Sequence, residues 1–136
     1  MLSKKTQYGL KVLGYLASRY GKGPVLIAEI AEQKKIPIKF LENILLQLKV
    51  KKMLGSKKGK GGGYFLEIDP KKIPIAAALR IIEGPIAMLP CVSLNFYEKC
   101  EDCNEKTCGL NKVMAATRDA TLKVLEKKTL ADLADG

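Results

Sequence analysis

No histidine occurs in the 136 residues, and no tryptophan. Without imidazole there is no Ser-His or Cys-His catalytic pair, and no zinc site of the kinds that use it. No nucleophile–base pair or carboxylate dyad is visible either, so the chain does not read as an enzyme. Long apolar runs are also missing, since nothing approaches the roughly 20 residues that cross a bilayer. Met1-Leu2-Ser3-Lys4-Lys5 is not followed by the apolar stretch of a signal peptide. The expectation is a cytoplasmic protein with no membrane partner.

Negative charge is scarce too, but only locally. Residues 1–72 hold 16 Lys/Arg against 5 Asp/Glu, a net +11, whereas residues 73–136 hold 8 against 9, a net −1. The chain therefore divides into a basic region, 1–72, and a remainder, 73–136. An excess confined to one half suits a face for a polyanion better than a merely solvated surface. The basic residues do not line one face of a single amphipathic helix, which favours nucleic acid over a membrane surface.

Ser3 is placed to cap a first helix running to about Tyr20, with Tyr8, Val12, Leu13, Leu16, Ala17 and Tyr20 at helical spacing. After the turn Gly21-Lys22-Gly23-Pro24, a short helix from about Ile27 to Lys34 turns Ile27, Ile30 and Ala31 inward. Pro37 opens the next helix, which buries Phe40, Leu41, Ile44, Leu45 and Leu48 and runs to about Lys52. Two such helices joined by a tight turn make a helix-turn-helix. The outer face of the second offers Lys39, Glu42, Asn43 and Gln47. Asn and Gln suit adenine, Lys suits guanine, and Glu suits the cytosine amino group. An ordinary helical hairpin with a polar outer face is the plainer alternative.

Residues 54–68 read as a β-hairpin, with Tyr64, Leu66 and Ile68 alternating to one face and glycines at the tip. The tip carries Lys57, Lys58 and Lys60. A basic hairpin directly after a helix-turn-helix is a wing that can reach phosphates or a minor groove. A phosphate-cradling nucleotide loop is the rival reading. It needs a lysine followed by Ser/Thr at a helix start, whereas these glycines lead into a strand.

Beyond Asp69-Pro70, a helix from about Pro74 to Glu83 turns Ile75, Ala78, Leu79 and Ile82 inward and stops at Gly84-Pro85. Residues 91–108 contain all four cysteines and little periodicity. A longer helix follows from Gly109 to about Lys127, with Leu110, Val113, Met114, Thr117, Thr121, Val124 and Leu125 forming an apolar stripe. No later element remains to cover that stripe, so a partner subunit is expected on it. Thr129-Leu130-Ala131-Asp132 resembles a small capping box. The expected fold is mainly α with a small β-hairpin wing, a winged helix-turn-helix followed by a long C-terminal dimerisation helix.

Several segments resemble the Rrf-type winged-helix transcriptional regulators, a family with iron–sulfur cluster and nitric-oxide-responsive members (IscR/NsrR-like). They are Leu2-Ser3-Lys4-Lys5-Thr6-Gln7-Tyr8-Gly9-Leu10, Ile27-Ala28-Glu29-Ile30-Ala31-Glu32, Ile36-Pro37 with Phe40-Leu41-Glu42, Gly59-Lys60-Gly61-Gly62-Gly63-Tyr64, Ile82-Glu83-Gly84-Pro85, and Cys108-Gly109-Leu110. The motifs occur in order and span nearly the whole chain. The resemblance implies a homodimer that represses or activates at a pseudo-palindromic operator in double-stranded DNA, with Glu42 and Lys58 at DNA-contact positions. It also shows departures. Lys35 stands where the turn often has glycine, and Leu26 where a serine often caps the second helix. Cluster-binding members typically use three cysteines plus a His, Asp or Glu. Here the spacing is C-x8-C-x2-C-x4-C, Asn111 stands at a His position, and Tyr8 at an Asp/Glu position.

Clustered cysteines in a cytoplasmic chain suggest a metal or redox centre more than a disulfide framework. Cys91, Cys100, Cys103 and Cys108 could supply four thiolates to a two-iron or four-iron cluster. They could equally hold zinc, remain free, or form a thiol–disulfide switch with no metal at all. Glu98, Glu101, Asp102 and Glu105 around them would make cluster thiolates harder to reduce. The expectation is a sequence-specific DNA-binding regulator whose affinity is set by an iron–sulfur cluster or by redox-active cysteines. A zinc-stabilised or thiol-based regulator is the alternative. An Fe–S electron carrier would leave the basic helix-turn-helix unexplained, and a protein-interaction module would show no salt-sensitive DNA binding.

Overall fold

Ser3 starts the first helix as its spacing suggests. Its Oγ accepts from the Thr6 amide at 3.2 Å, a cap worth about 1 kcal/mol. The computed structural model describes residues 2–102 and 104–134. Helix α1 (Lys4–Ser18) is followed by α2 (Ile27–Lys34), α3 (Ile38–Val50), the strands β1 (Leu54–Lys57) and β2 (Gly63–Leu66), α4 (Ile75–Ile82) and α5 (Gly109–Lys127). Short 3-10 turns occupy Pro70–Lys72, Pro90–Val92 and Leu130–Leu133. The last of these carries the expected capping box between Thr129 and Asp132.

One core holds these elements together. Val12, Leu13 and Leu16 of α1 pack with Ile30 of α2, Leu41, Ile44, Leu45 and Leu48 of α3, Leu54 of β1, Ala78 of α4 and Leu130. The final turn lies directly on α1: a Cβ at Gly14 would collide with the Leu133 carbonyl, so glycine is what permits that approach. β1 and β2 form an antiparallel hairpin with Leu54 opposite Leu66 and Lys57 opposite Gly63. A third chain segment joins it, because Val25 and Tyr64 exchange two backbone hydrogen bonds, each 2.8 Å. Gly63 has φ +144, and a Cβ there would strike the Val25 carbonyl.

The structure corrects several inward assignments. Phe40 is 42% exposed, and its ring meets Tyr8 edge-on at 5.6 Å between centroids. Position 40 lies on the edge of the apolar arc of α3, and contact with α1 covers only one side of the ring. Tyr20 is exposed because α1 ends at Ser18, two residues early. Ile68 is exposed because β2 ends at Leu66 and the alternation stops there. Pro37 is the N-cap residue of α3, one position before the helix.

Lys35 takes the left-handed conformation, φ 54, that glycine often supplies in this turn. A side chain there costs roughly 1–2 kcal/mol in the folded state, whereas glycine costs about 0.5–1 kcal/mol in unfolded-chain entropy. Lys35→Gly is therefore expected to stabilise the fold by about 0.5–1 kcal/mol. The denaturant midpoint should rise at unchanged slope, and a lower midpoint would contradict the account.

Candidate nucleic-acid interface and cysteine segment

The turn between α2 and α3 positions the outer face of α3. The Lys35 amide caps α2 on the Ala31 carbonyl, and Ile36 is buried with its amide on the same carbonyl at 3.0 Å. The chain therefore reverses within Lys35, Ile36 and Pro37. Lys39, Glu42 and Asn43 project from the first turns of α3 and are exposed. Gln47 does not join them. It is half-buried, and its Nε2 donates to the Ile81 carbonyl of α4 at 2.8 Å. The helix wheel places Gln47 outside, but it does not foresee that α4 packs against this flank. Ile38 is 46% exposed on the first turn, an apolar group of the kind that meets thymine methyls. As an isolated β-branched residue, it carries no signal in the sequence.

Lys57, Lys58 and Lys60 are exposed at the far end of the hairpin. Positive φ at Gly59 and Gly61 makes the tight turn between them. The wing is tied through Val25 to the loop that leads into α2, so wing and helix-turn-helix share a backbone connection besides the chain itself.

At the other end, Cys91 and Cys108 converge on one residue. Asn111 Nδ2 donates to Cys91 Sγ, and the Asn111 amide donates to Cys108 Sγ, both at 3.4 Å. Cys108 thereby caps α5 with its sulfur. Arg118 anchors the Pro90–Val92 turn by donating to the Val92 carbonyl at 2.8 Å. Cys100 is half-buried, and Cys103 lies outside the described residues. Among the described residues no three Cys, Asp or Glu side chains group as metal ligands. Of the described thiols, Cys91 and Cys108 share Asn111 as a neighbour. Of the acidic residues beside them, Glu105 accepts from the Tyr97 hydroxyl at 2.6 Å, which raises the phenol's pKa.

Between the two regions, Glu83 follows the last turn of α4 and reaches back to the start of α1. Its Oε2 accepts from Thr6 Oγ1 and from Ser3 Oγ, the latter at 2.9 Å. The Thr6 hydroxyl is the main cause that holds the carboxyl below its usual range, with the Ser3 hydroxyl adding to it against a desolvation effect in the other direction.

The stripe on α5 is open only in part. Leu110, Val113 and Val124 are each more than half exposed, and Met114 is half-buried. Thr117, Thr121 and Leu125 line a cavity of about 260 Å³ with Leu79, Ile86 and Met88. Leu122, absent from the stripe, is the buried residue of α5. It lies on a different side of the helix from Val113 and Val124. No helix among the described residues is long and apolar enough to cross a membrane.

Comparison with known proteins bears on this arrangement as a whole. Residues 2–136 match the model of the Rrf2 family, described as an iron-dependent transcriptional regulator. An rrf2-like helix-turn-helix transcriptional regulator of Rhodobacter capsulatus is 38% identical, covering 98% of this chain and 91% of its own. The solved structure of CymR, the global cysteine regulator of Bacillus subtilis, superposes with a TM-score of 0.81 at 30% identity, over 98% of this chain and 95% of that one. The structure of IscR from T. potens gives a TM-score of 0.76 at 26% identity, over 98% and 85%.

Proposed function

The chain belongs to the Rrf2 family of DNA-binding transcriptional regulators, which are not enzymes, and from that premise we propose that it is a homodimeric, sequence-specific regulator controlled through its cysteine segment. The observation that carries the DNA reading is the exposed set Lys39, Glu42 and Asn43 on α3, beside a lysine-tipped wing bonded to the same unit. Helix and wing together can offer base-edge contacts in a major groove and phosphate contacts in the adjoining minor groove. Two subunits related by a two-fold axis would read a pseudo-palindromic operator, with half-sites about one helical turn apart or a multiple of it.

Affinity for promoter DNA, measured over a series of salt concentrations, tests this reading. Each phosphate contact should contribute about 0.9 to the log–log slope. A flat response would remove duplex DNA as the partner.

For the sensor, the family's iron dependence supports a cluster, whereas similarity to a global cysteine regulator supports control linked to cysteine itself. Cys91 and Cys108, already brought to one residue, are the thiols on which either form of control would act. An iron–sulfur cluster would draw on them together with Cys103. We expect protein purified without oxygen to carry iron, sulfide and a visible chromophore. Cys91→Ser and Cys108→Ser should lose them, since a hydroxyl is a poor ligand for iron among thiolates. Cys100→Ser separates an all-cysteine site, which would lose them, from one with another fourth ligand, which would keep them. Zinc without sulfide would overturn the cluster and leave the DNA reading standing.

A further inference from the structure

We propose that a second basic surface, formed by Lys71, Lys72, Lys127 and Lys128 at the base of the wing, binds the DNA flanking the operator, and that this DNA bends toward the protein to reach it. The inference rests on the DNA-binding reading above. Lys127 and Lys128 belong to the half of the chain with no net positive charge, so their position beside another lysine pair is a product of the fold. Pro74 and Thr129 form an antiparallel bridge. The Ile75 amide donates to the Lys128 carbonyl and the Leu130 amide to the Ile73 carbonyl, each at 2.9 Å. In that register Ile75 lies beside Lys128 and Ile73 beside Leu130, so Lys72 and Lys128 sit on adjoining chain segments.

All four lysines are exposed, and among the described residues none has a carboxylate at ion-pair distance. The neighbouring carboxylates are engaged elsewhere. Asp69 Oδ1 accepts from the Lys71 amide at 2.9 Å, Asp132 Oδ2 accepts from the Thr129 amide at 2.8 Å, and Glu126 pairs with Arg80 at 3.5 Å. Four like charges gathered without partners repel one another and contribute nothing to the fold. A polyanion is the partner that compensates them.

Position selects duplex DNA over an acidic protein. The Pro70–Lys72 turn begins shortly after β2, and the tip lysines lie at the opposite end of the hairpin. A four-residue strand is about 13 Å long, and Lys71 and Lys72 follow its end by five and six residues, so positive charge resumes beyond the base of the hairpin. A duplex leaving the minor groove at the tip and curving toward the protein would follow that line, and bends of about 40–90° are within what bound proteins impose.

The test compares the wild type with K71A/K72A/K127A/K128A on two duplexes. One is cut to the operator half-sites alone, and the other is extended by about two helical turns of arbitrary sequence on each side. The wild type should bind the longer duplex about 10-fold more tightly, with a steeper salt slope and closer duplex ends by energy transfer. The quadruple variant should bind both duplexes alike, match the wild type on the short one and leave the duplex straighter. K71A/K72A and K127A/K128A should each lose part of the gain. An equal loss on both lengths would overturn the proposal. Retention of the length advantage and bend by the variant would also overturn it. Failure of the wild type to bind even the short operator would instead sink the underlying DNA-binding reading.

Discussion

Val113→Glu combined with Val124→Glu should convert the protein to a monomer in sedimentation and weaken operator binding by about 10²–10⁴, the advantage a second linked half-site confers. Both valines are more than half exposed on α5, with no element of their own chain over them. In a dimer two such stripes would face each other, and a carboxylate there would lose water without gaining a partner. Lys112→Glu, on the other side of the helix, should leave sedimentation unchanged. The same Svedberg value for the double variant and the wild type would refute the interface.

The second large effect separates the two kinds of DNA contact. Glu42→Ala or Asn43→Ala should cost about 1–3 kcal/mol on the operator and little on random DNA, because each removes a base-edge contact. Lys58→Ala should weaken binding to every sequence and lower the salt slope by about 0.9 per subunit. Equal losses on operator and random DNA for all three variants would contradict the assignment. Gln47 supplies a further contrast. Its amide is held by Ile81, so Gln47→Ala should act on stability and leave base preference alone.

What could be read from the sequence was the local part. Ser3, Gly21, Pro37, Gly84 and Gly109 punctuate the helices near where the structure starts and stops them, because caps and breakers act within a turn. Buried faces of α1, α3 and α4 followed from period 3.6. Tyr20 and Ile68 were misplaced because α1 and β2 end early, whereas the other misplacements depend on contacts between distant segments. Gln47 needed the approach of α4, Phe40 the meeting with Tyr8, and Leu122 the side from which α4 packs. The joining of Val25 to β2 left no mark in a sequence of alternating residues. The cysteine segment was the least legible part. Spacing offered Cys91, Cys100, Cys103 and Cys108 as ligands but gave no sign that Asn111 bonds to both Cys91 and Cys108.

The Val25–Tyr64 pairing has a mechanical meaning. Because the hairpin is bonded to the loop that leads into α2, its motion is coupled to that of the helix-turn-helix, and the subunit would meet a half-site as a stiff calliper. In the proposed complex one jaw would be set on base edges by α3 and the other on the neighbouring backbone by Lys58. A single base pair inserted between those two points would turn one grip away from the other by about a tenth of a helical turn. A jointed reader would absorb that error, but this one has to release one jaw.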